Sequence, residues 1–282
     1  MRAPPIHPYR RVVPQKYVPV DSVATLVHYR GPTTLPGSPP DTSGGDVVVC
    51  LHDAGSNGAI FSALSDELAN GHSPIAYDQP GHGRSGSLDS LGSIDAMAAH
   101  ARSFTAALGV DPPVLFGEGM GSDVALEVAI SDPDWPRALV LAGGAGAHHP
   151  ELDEEIDLLR RITTGRARRE FDRTGYGPET PREVYGVAFS EWVKTDPRAT
   201  LGDRTAQAAW TAQGRLDAVK CPVLVIVGEH EEDEYRSRAE ALAAALPNGR
   251  TAVLSGAGRR GVIEQPATLA TQMNDFLREV LS

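Results

Sequence analysis

The chain of 282 residues carries 26 Lys and Arg against 37 Asp and Glu, a formal charge of −11 at pH 7. That sign argues against nucleic acid and anionic membranes as partners, and its plainest consequence is solubility. With 41% hydrophobic residues the chain can bury a sizeable core, as one large domain or two, and with no 18-residue apolar stretch it offers no membrane span.

Residues 1–15 are rich in Pro and Arg and read as an extended arm, without the apolar stretch of a secretory signal. Residues 16–20 and Val23–Tyr29 read as two strands of a meander, turned by Asp21-Ser22. Residues 31–45, full of Pro, Gly, Ser and Thr, form a surface connection. Asp46–Leu51 is apolar throughout its centre, as in a strand buried in a parallel sheet, and runs into His52-Asp53-Ala54-Gly55. A helix over 60–70 and a strand over 74–77 follow. Residues 93–108 make a helix with Met97, Ala98, Ala101, Phe104 and Leu108 on one face. Val114, Leu115 and Phe116 are the next buried strand, and Val124, Leu126, Val128, Ala129 and Ile130 belong to a helix packed on the sheet. A strand over 138–141 ends in a glycine run, Gly143 to Gly146 except for Ala145. Residues 148–204 break the alternation of strand and helix, being charged, helical in pattern and marked by Tyr176, Tyr185, Phe189 and Trp192. The alternation resumes with a helix over 206–216, a strand over 223–227, a helix over 234–246, a strand over 251–254 and a closing helix, Pro266–Leu281. Cys50 and Cys221 lie in apolar strand-like runs, which suggests reduced thiols in a cytoplasmic protein and no disulfide framework.

Between the strand at 114 and the helix after it lies Gly117-Glu118-Gly119-Met120-Gly121. Strand, tight glycine turn and helix are the setting of a nucleophile elbow, G-x-S-x-G. A dinucleotide loop is the competing reading, but G-x-G-x-x-G fails because Ser122 holds the last place. Asp78-Gln79-Pro80-Gly81-His82-Gly83-Arg84-Ser85 matches the D-x-P-G-x-G-x-S turn of the α/β-hydrolase superfamily, which the chain resembles over residues 16–282. The resemblance implies an α/β fold, a mostly parallel eight-stranded sheet flanked by helices, with a core at 16–147 and 205–282 and a helical cap at 148–204. His82 is then a turn residue.

In that family the nucleophile, acid and base stand at strand tips. The corresponding residues here are Gly119, Glu231 and Arg259. Glycine brings no attacking atom and arginine keeps its proton, so a serine-hydrolase mechanism is not expected. The loop after the first buried strand corresponds to a family oxyanion loop, with Asp53 where a glycine is usual. The resemblance makes the Ala54 and Met120 N–H groups the oxyanion donors. Arg259 and Glu231 are expected to meet as an ion pair, which either anchors an anionic part of a ligand or merely closes the site. Asp53, without an evident structural duty, ranks first as general base. His52 is a further catalytic candidate, alternatively a structural loop residue. Glu118, His148, His149, Tyr176 and Trp192 are expected around the pocket, with Gly119 at its floor.

The function expected is a non-hydrolytic enzyme of small-molecule, secondary metabolism, performing elimination, decarboxylation or cyclisation over a retained oxyanion hole. The alternatives are a catalytically inactive binding or scaffold protein and an atypical hydrolase that activates water directly. No cofactor and no metal are expected. The partner is a small molecule, with no nucleic acid or membrane, and the oligomeric state stays open.

Overall fold

The computed structural model describes residues 14–35, 38–110, 112–143 and 151–282. The expected arm up to residue 13, the glycine turn beyond Gly143, and His148 and His149 lie outside these.

Eight strands form one sheet: β1 (Gln15–Val20), β2 (Val23–Tyr29), β3 (Asp46–Leu51), β4 (His72–Tyr77), β5 (Val114–Glu118), β6 (Ala138–Ala142), β7 (Val223–Gly228) and β8 (Gly249–Leu254). Their spatial order is β1-β2-β4-β3-β5-β6-β7-β8. β1 pairs antiparallel with β2, β2 antiparallel with β4, and every other pair is parallel. The β3, β5 and β6 runs of Val, Leu, Ala, Cys and Phe suit strands covered on both faces. Successive side chains point to opposite faces. Val49 and Leu51 join one buried cluster while Val48 and Cys50 join the other.

The first cluster is covered by α2 (Ile94–Leu108), α3 (Met120–Ser131) and α7 (Asp233–Ala245), the second by α1 (Ser62–Leu68) and α9 (Pro266–Leu281). α2 is bounded as its sequence directs. Ser93 caps its start by accepting from the Ala96 N–H, and Gly109 ends it in the left-handed region at φ 67°. α1 follows a short 3-10 turn, Gly58–Phe61, so the helix expected over 60–70 is split.

Between β6 and β7 the chain builds α4 (Glu151–Thr163), α5 (Arg182–Trp192) and α6 (Pro197–Ala209). α6 begins nine residues before the helix expected at 206. Asp196 caps it and Pro197 occupies its first turn, a start signal that Gly202 inside the helix obscures. α6 is fastened to the core at its middle and just past its C-terminal end. Asp203 and His82 are fully buried and 2.7 Å apart, and Trp210 Nε1 donates to Glu127 on α3 at 2.7 Å. A four-residue helix that the sequence pattern did not signal, α8 (Gly261–Glu264), precedes α9. Among the described residues no helix is long and apolar enough to cross a membrane.

Candidate active site

The C-terminal ends of β3, β5, β6 and β8 open into a cavity of about 1190 Å³, whose other walls come from α4, α5, α6 and the segment between α4 and α5. Its floor is the turn between β5 and α3. Gly119 stands there at φ 55°, ψ −122°, donating its N–H to Ala142 O at 2.8 Å. Side-chain-bearing residues rarely adopt this backbone, and glycine accepts it at little steric cost.

The space above Gly119 belongs to Asp53. A Cβ at position 119 would lie 2.3 Å from both Cγ and Oδ1 of Asp53. The Asp53 carboxylate fills the site expected for an oxyanion. Its Oδ1 accepts the N–H of Ala54 at 2.8 Å and that of Met120 at 2.9 Å. Arg204 Nη1 donates to the same oxygen at 3.1 Å, and Arg260 Nη1 reaches Oδ2 at 3.2 Å. Burial would raise the proton affinity of this carboxyl. Arg204, Arg260 and the two N–H groups outweigh that effect and hold Asp53 well below the usual carboxylate range. Two expectations are corrected here. The main-chain donors converge as anticipated, but on a protein carboxylate instead of open space. Asp53 is a tightly held anion, and its low proton affinity makes it a poor general base.

Glu118, the last residue of β5, is only 4% exposed yet lines the same cavity. Burial pushes its carboxyl up to about 8, with Arg260 opposing the rise and the charges of Asp53 and Glu264 adding to it. At neutral pH Glu118 is therefore mostly protonated while its neighbour Asp53 is ionised. Tyr176 and Trp192 also line the cavity. Burial raises the Tyr176 phenol to about 12, and the Arg169 guanidinium stacks 4.0 Å over the Trp192 ring.

The expected ion pair of Arg259 and Glu231 does not form. Arg259 Nε pairs with Glu232 at 3.3 Å and the guanidinium lies 4.1 Å over the Tyr235 ring. Glu231 turns back to accept the Gly228 N–H at 2.9 Å, and burial raises its proton affinity. His52 is not placed for catalysis. It is fully buried, its Nδ1 bonds to Asp53 O at 2.9 Å, and its Nε2 accepts the Gln79 N–H at 3.1 Å. Both nitrogens are spent on the backbone, and burial, ahead of the effect of His82, pulls the imidazole down to about 4. His52 thus holds the β3 loop to the β4 turn. Among the described residues no group of His, Cys, Asp and Glu could hold a metal ion.

This elbow, set between β5 and α3 at the centre of an eight-stranded sheet, agrees with a match to the sequence model of the Alpha/beta hydrolase family over residues 48–272. The chain belongs to the α/β-hydrolase family. Within the family it is 28% identical over 254 residues to polyketide synthase ThaQ of Burkholderia thailandensis, covering 84% of this chain but 12% of that far longer protein. It is 25% identical to a 2-hydroxymuconate semialdehyde hydrolase of Pseudomonas sp., covering 85% of this chain and 89% of the relative. Among solved α/β-hydrolase structures, an esterase of Thermogutta terrifontis superposes with a TM-score of 0.79 at 22% identity, covering 95% of this chain and 100% of that one. The enol-lactonase of Burkholderia xenovorans follows at 0.76 and 20%, covering 93% and 100%. At these identities the superpositions speak to the fold alone.

Two residues of this α/β-hydrolase site escaped the sequence reading. Arg260 is the immediate neighbour of Arg259, so a strand-tip pattern that admits one basic residue gave no reason to choose the second. Arg204 lies 151 positions from Asp53 along the chain and meets it only because α6 packs over the β3 loop. The side-chain Nε of Arg204 also pairs with Glu155 on α4 at 3.0 Å.

Proposed function

We propose that this protein is an enzyme of small-molecule, secondary metabolism that performs elimination, decarboxylation or cyclisation by proton transfer, with no covalent intermediate. One arrangement carries the reading: on the walls of one cavity Glu118 is buried, which favours its neutral form, while Asp53 accepts two main-chain N–H groups and two guanidinium groups, which favour its ionised form. Titratable neighbours whose surroundings drive their proton affinities apart divide the acid and the electrostatic roles between them. Glu118 is the general acid, with a proton affinity close to the working pH, where such catalysis is most effective. In a decarboxylation it delivers its proton to the enolate that carbon dioxide leaves behind; in an elimination it protonates the leaving oxygen as the carbon–oxygen bond breaks, and the α-proton passes to a solvent water. Asp53 holds Arg204 and Arg260 at the floor, and these guanidinium groups stabilise the charge that the main-chain donors, already engaged, no longer meet.

The residues at the three triad positions support the same reading. Gly119 has no atom with which to attack, Arg259 is no base, and Glu231 faces the backbone. The identity with a stretch of a polyketide synthase supports a substrate of the polyketide type, so an acyl thioester is the class to try first. The buried thiols of Cys50 and Cys221 support a cytoplasmic setting.

A panel of β-hydroxyacyl and malonyl-type (α-carboxyacyl) N-acetylcysteamine thioesters, followed by mass spectrometry, tests the proposal. Loss of water or carbon dioxide from one member, abolished in Glu118→Gln, is the expected result. Ester turnover with an acyl-enzyme burst, or labelling by a fluorophosphonate, contradicts it. The full saturation of Asp53 by N–H and guanidinium donors favours one other reading, a ligand-binding protein without turnover. It predicts binding of panel members with no product and no effect of Glu118→Gln on chemistry.

A further inference from the structure

We propose that the cavity grips a carboxylate of its ligand between Arg259 and Arg260, so that the substrate is itself an acid; this deepens the proton-transfer function proposed above and rests on it. Both guanidinium groups line the cavity from consecutive positions in the turn after β8. Each is fixed by the protein through one edge only. Arg259 is held by Glu232 at Nε and by the Tyr235 ring beneath it, and its main-chain N–H donates to Gly175 O at 2.7 Å. Gly175 also makes the room: a Cβ at this position, where φ is 73°, would lie 2.7 Å from Nε and 3.0 Å from Nη2 of Arg259. Arg260 gives Nη1 to Asp53.

Among the described residues no acceptor forms a hydrogen bond with Nη1 or Nη2 of Arg259, or with Nε or Nη2 of Arg260. A guanidinium immobilised through one edge with spare N–H donors suits the two coplanar oxygens of a carboxylate. The charge balance points the same way. Glu232 and Glu155, which pair with Arg259 and Arg204, are 47% and 40% exposed, so water screens them. Arg259 and Arg204 are 20% and 14% exposed, and Asp53 is the ionised carboxylate at the floor beside Arg204 and Arg260. Around the floor, three guanidinium groups therefore stand against the one ionised carboxylate of Asp53, and Glu118, mostly protonated at pH 7, does not cancel them; the other acids that line the cavity, Asp153, Glu154, Glu155, Asp157, Glu170 and Asp172, come from α4 and the segment after it.

Isothermal titration calorimetry of the full chain with malonate, malonamide and inorganic phosphate tests the assignment. Malonamide has the same skeleton without charge, and phosphate has the charge without the planar pair. Saturable malonate binding is expected, with the other two weaker by about tenfold or more. Arg259→Gln and Arg260→Gln are each expected to weaken malonate by about tenfold or more, the scale of one charge-assisted hydrogen bond. Absence of saturable malonate binding, malonamide or phosphate binding as tightly as malonate, or unchanged affinity in both variants overturns the proposal. The wild-type comparison decides even if a variant fails to fold. Glu118→Gln is expected to keep malonate binding while losing turnover, so failure of the anion site and failure of the acid–base reading are separately visible.

Discussion

Replacing Gly119 with alanine adds one methyl group where the structure has no space for it. The new Cβ falls 2.3 Å from Cγ and Oδ1 of Asp53 and 2.9 Å from its Cβ. Two costs add. Holding a non-glycine residue at φ 55° costs about 1–3 kcal/mol. Overpacking against Asp53 costs about 1–3 kcal/mol more, because the carboxylate can retreat only by giving up four donors. The total is about 2–6 kcal/mol. In an Asp53→Gly background only the backbone strain remains, so the same methyl group should cost about 1–3 kcal/mol there. Urea unfolding of the wild type, both single variants and the double variant closes the cycle. A coupling of more than about 1 kcal/mol supports mutual dependence of the two positions. Costs equal within about 0.5 kcal/mol in the two backgrounds, the range expected of independent sites, would refute it.

Glu118 makes stability fall with pH in a defined window. Its folded proton affinity, at about 8, lies above the ordinary 4.5, so the folded state binds the extra proton between those values and loses stability as pH rises through them. Glu118→Gln should gain on the wild type across that window by up to about 1.4 kcal/mol per pH unit, and a flat difference in pH-dependent urea unfolding contradicts this. His82 acts in the same direction for a different reason. Burial lowers its proton affinity, but Asp203 outweighs that and raises it, so the stability the pair contributes is complete below the ordinary histidine value and lost as pH rises through the raised one. His82→Gln should therefore cost about 3–5 kcal/mol at about pH 6 and less in alkali, as thermal unfolding at several pH values will show. Glu264 accepts the N–H groups of Gly177 and Gly258 and the hydroxyl of Thr180, tying the segment before α5 to the β8 turn. Glu264→Ala should raise hydrogen exchange around 175–181 first, and uniform protection there would count against this tie.

Much of the fold could be read before any coordinates. The apolar runs at β3, β5 and β7 and the aspartate-to-serine turn at 78–85 are local patterns, set by burial and turn chemistry within a few residues. The site was legible only where chemistry follows from a single position. Gly119 shows directly that the elbow carries no side chain. Glu118 was placed at the pocket, but its raised proton affinity depends on burial and on the charges of Arg260, Asp53 and Glu264 gathered from three separate segments. Asp53 is unusual in the sequence, yet the cations that hold it ionised are not legible there, because its partners Arg204 and Arg260 come from α6 and the β8 turn. Arg259 was expected to meet Glu231 from strand-tip positions alone. Backbone direction after β7 instead sends Glu231 to the Gly228 N–H and leaves Glu232 facing the arginine.

The measurement closest to the central claim is a carbon-13 NMR titration of the glutamate side-chain carboxyls, with Glu118→Gln assigning the resonance. The account predicts that Glu118 titrates near 8, still protonated at neutral pH beside an ionised Asp53. A Glu118 signal that titrates near 4.5 would contradict it, leaving two ordinary carboxylates and no acid at the cavity floor.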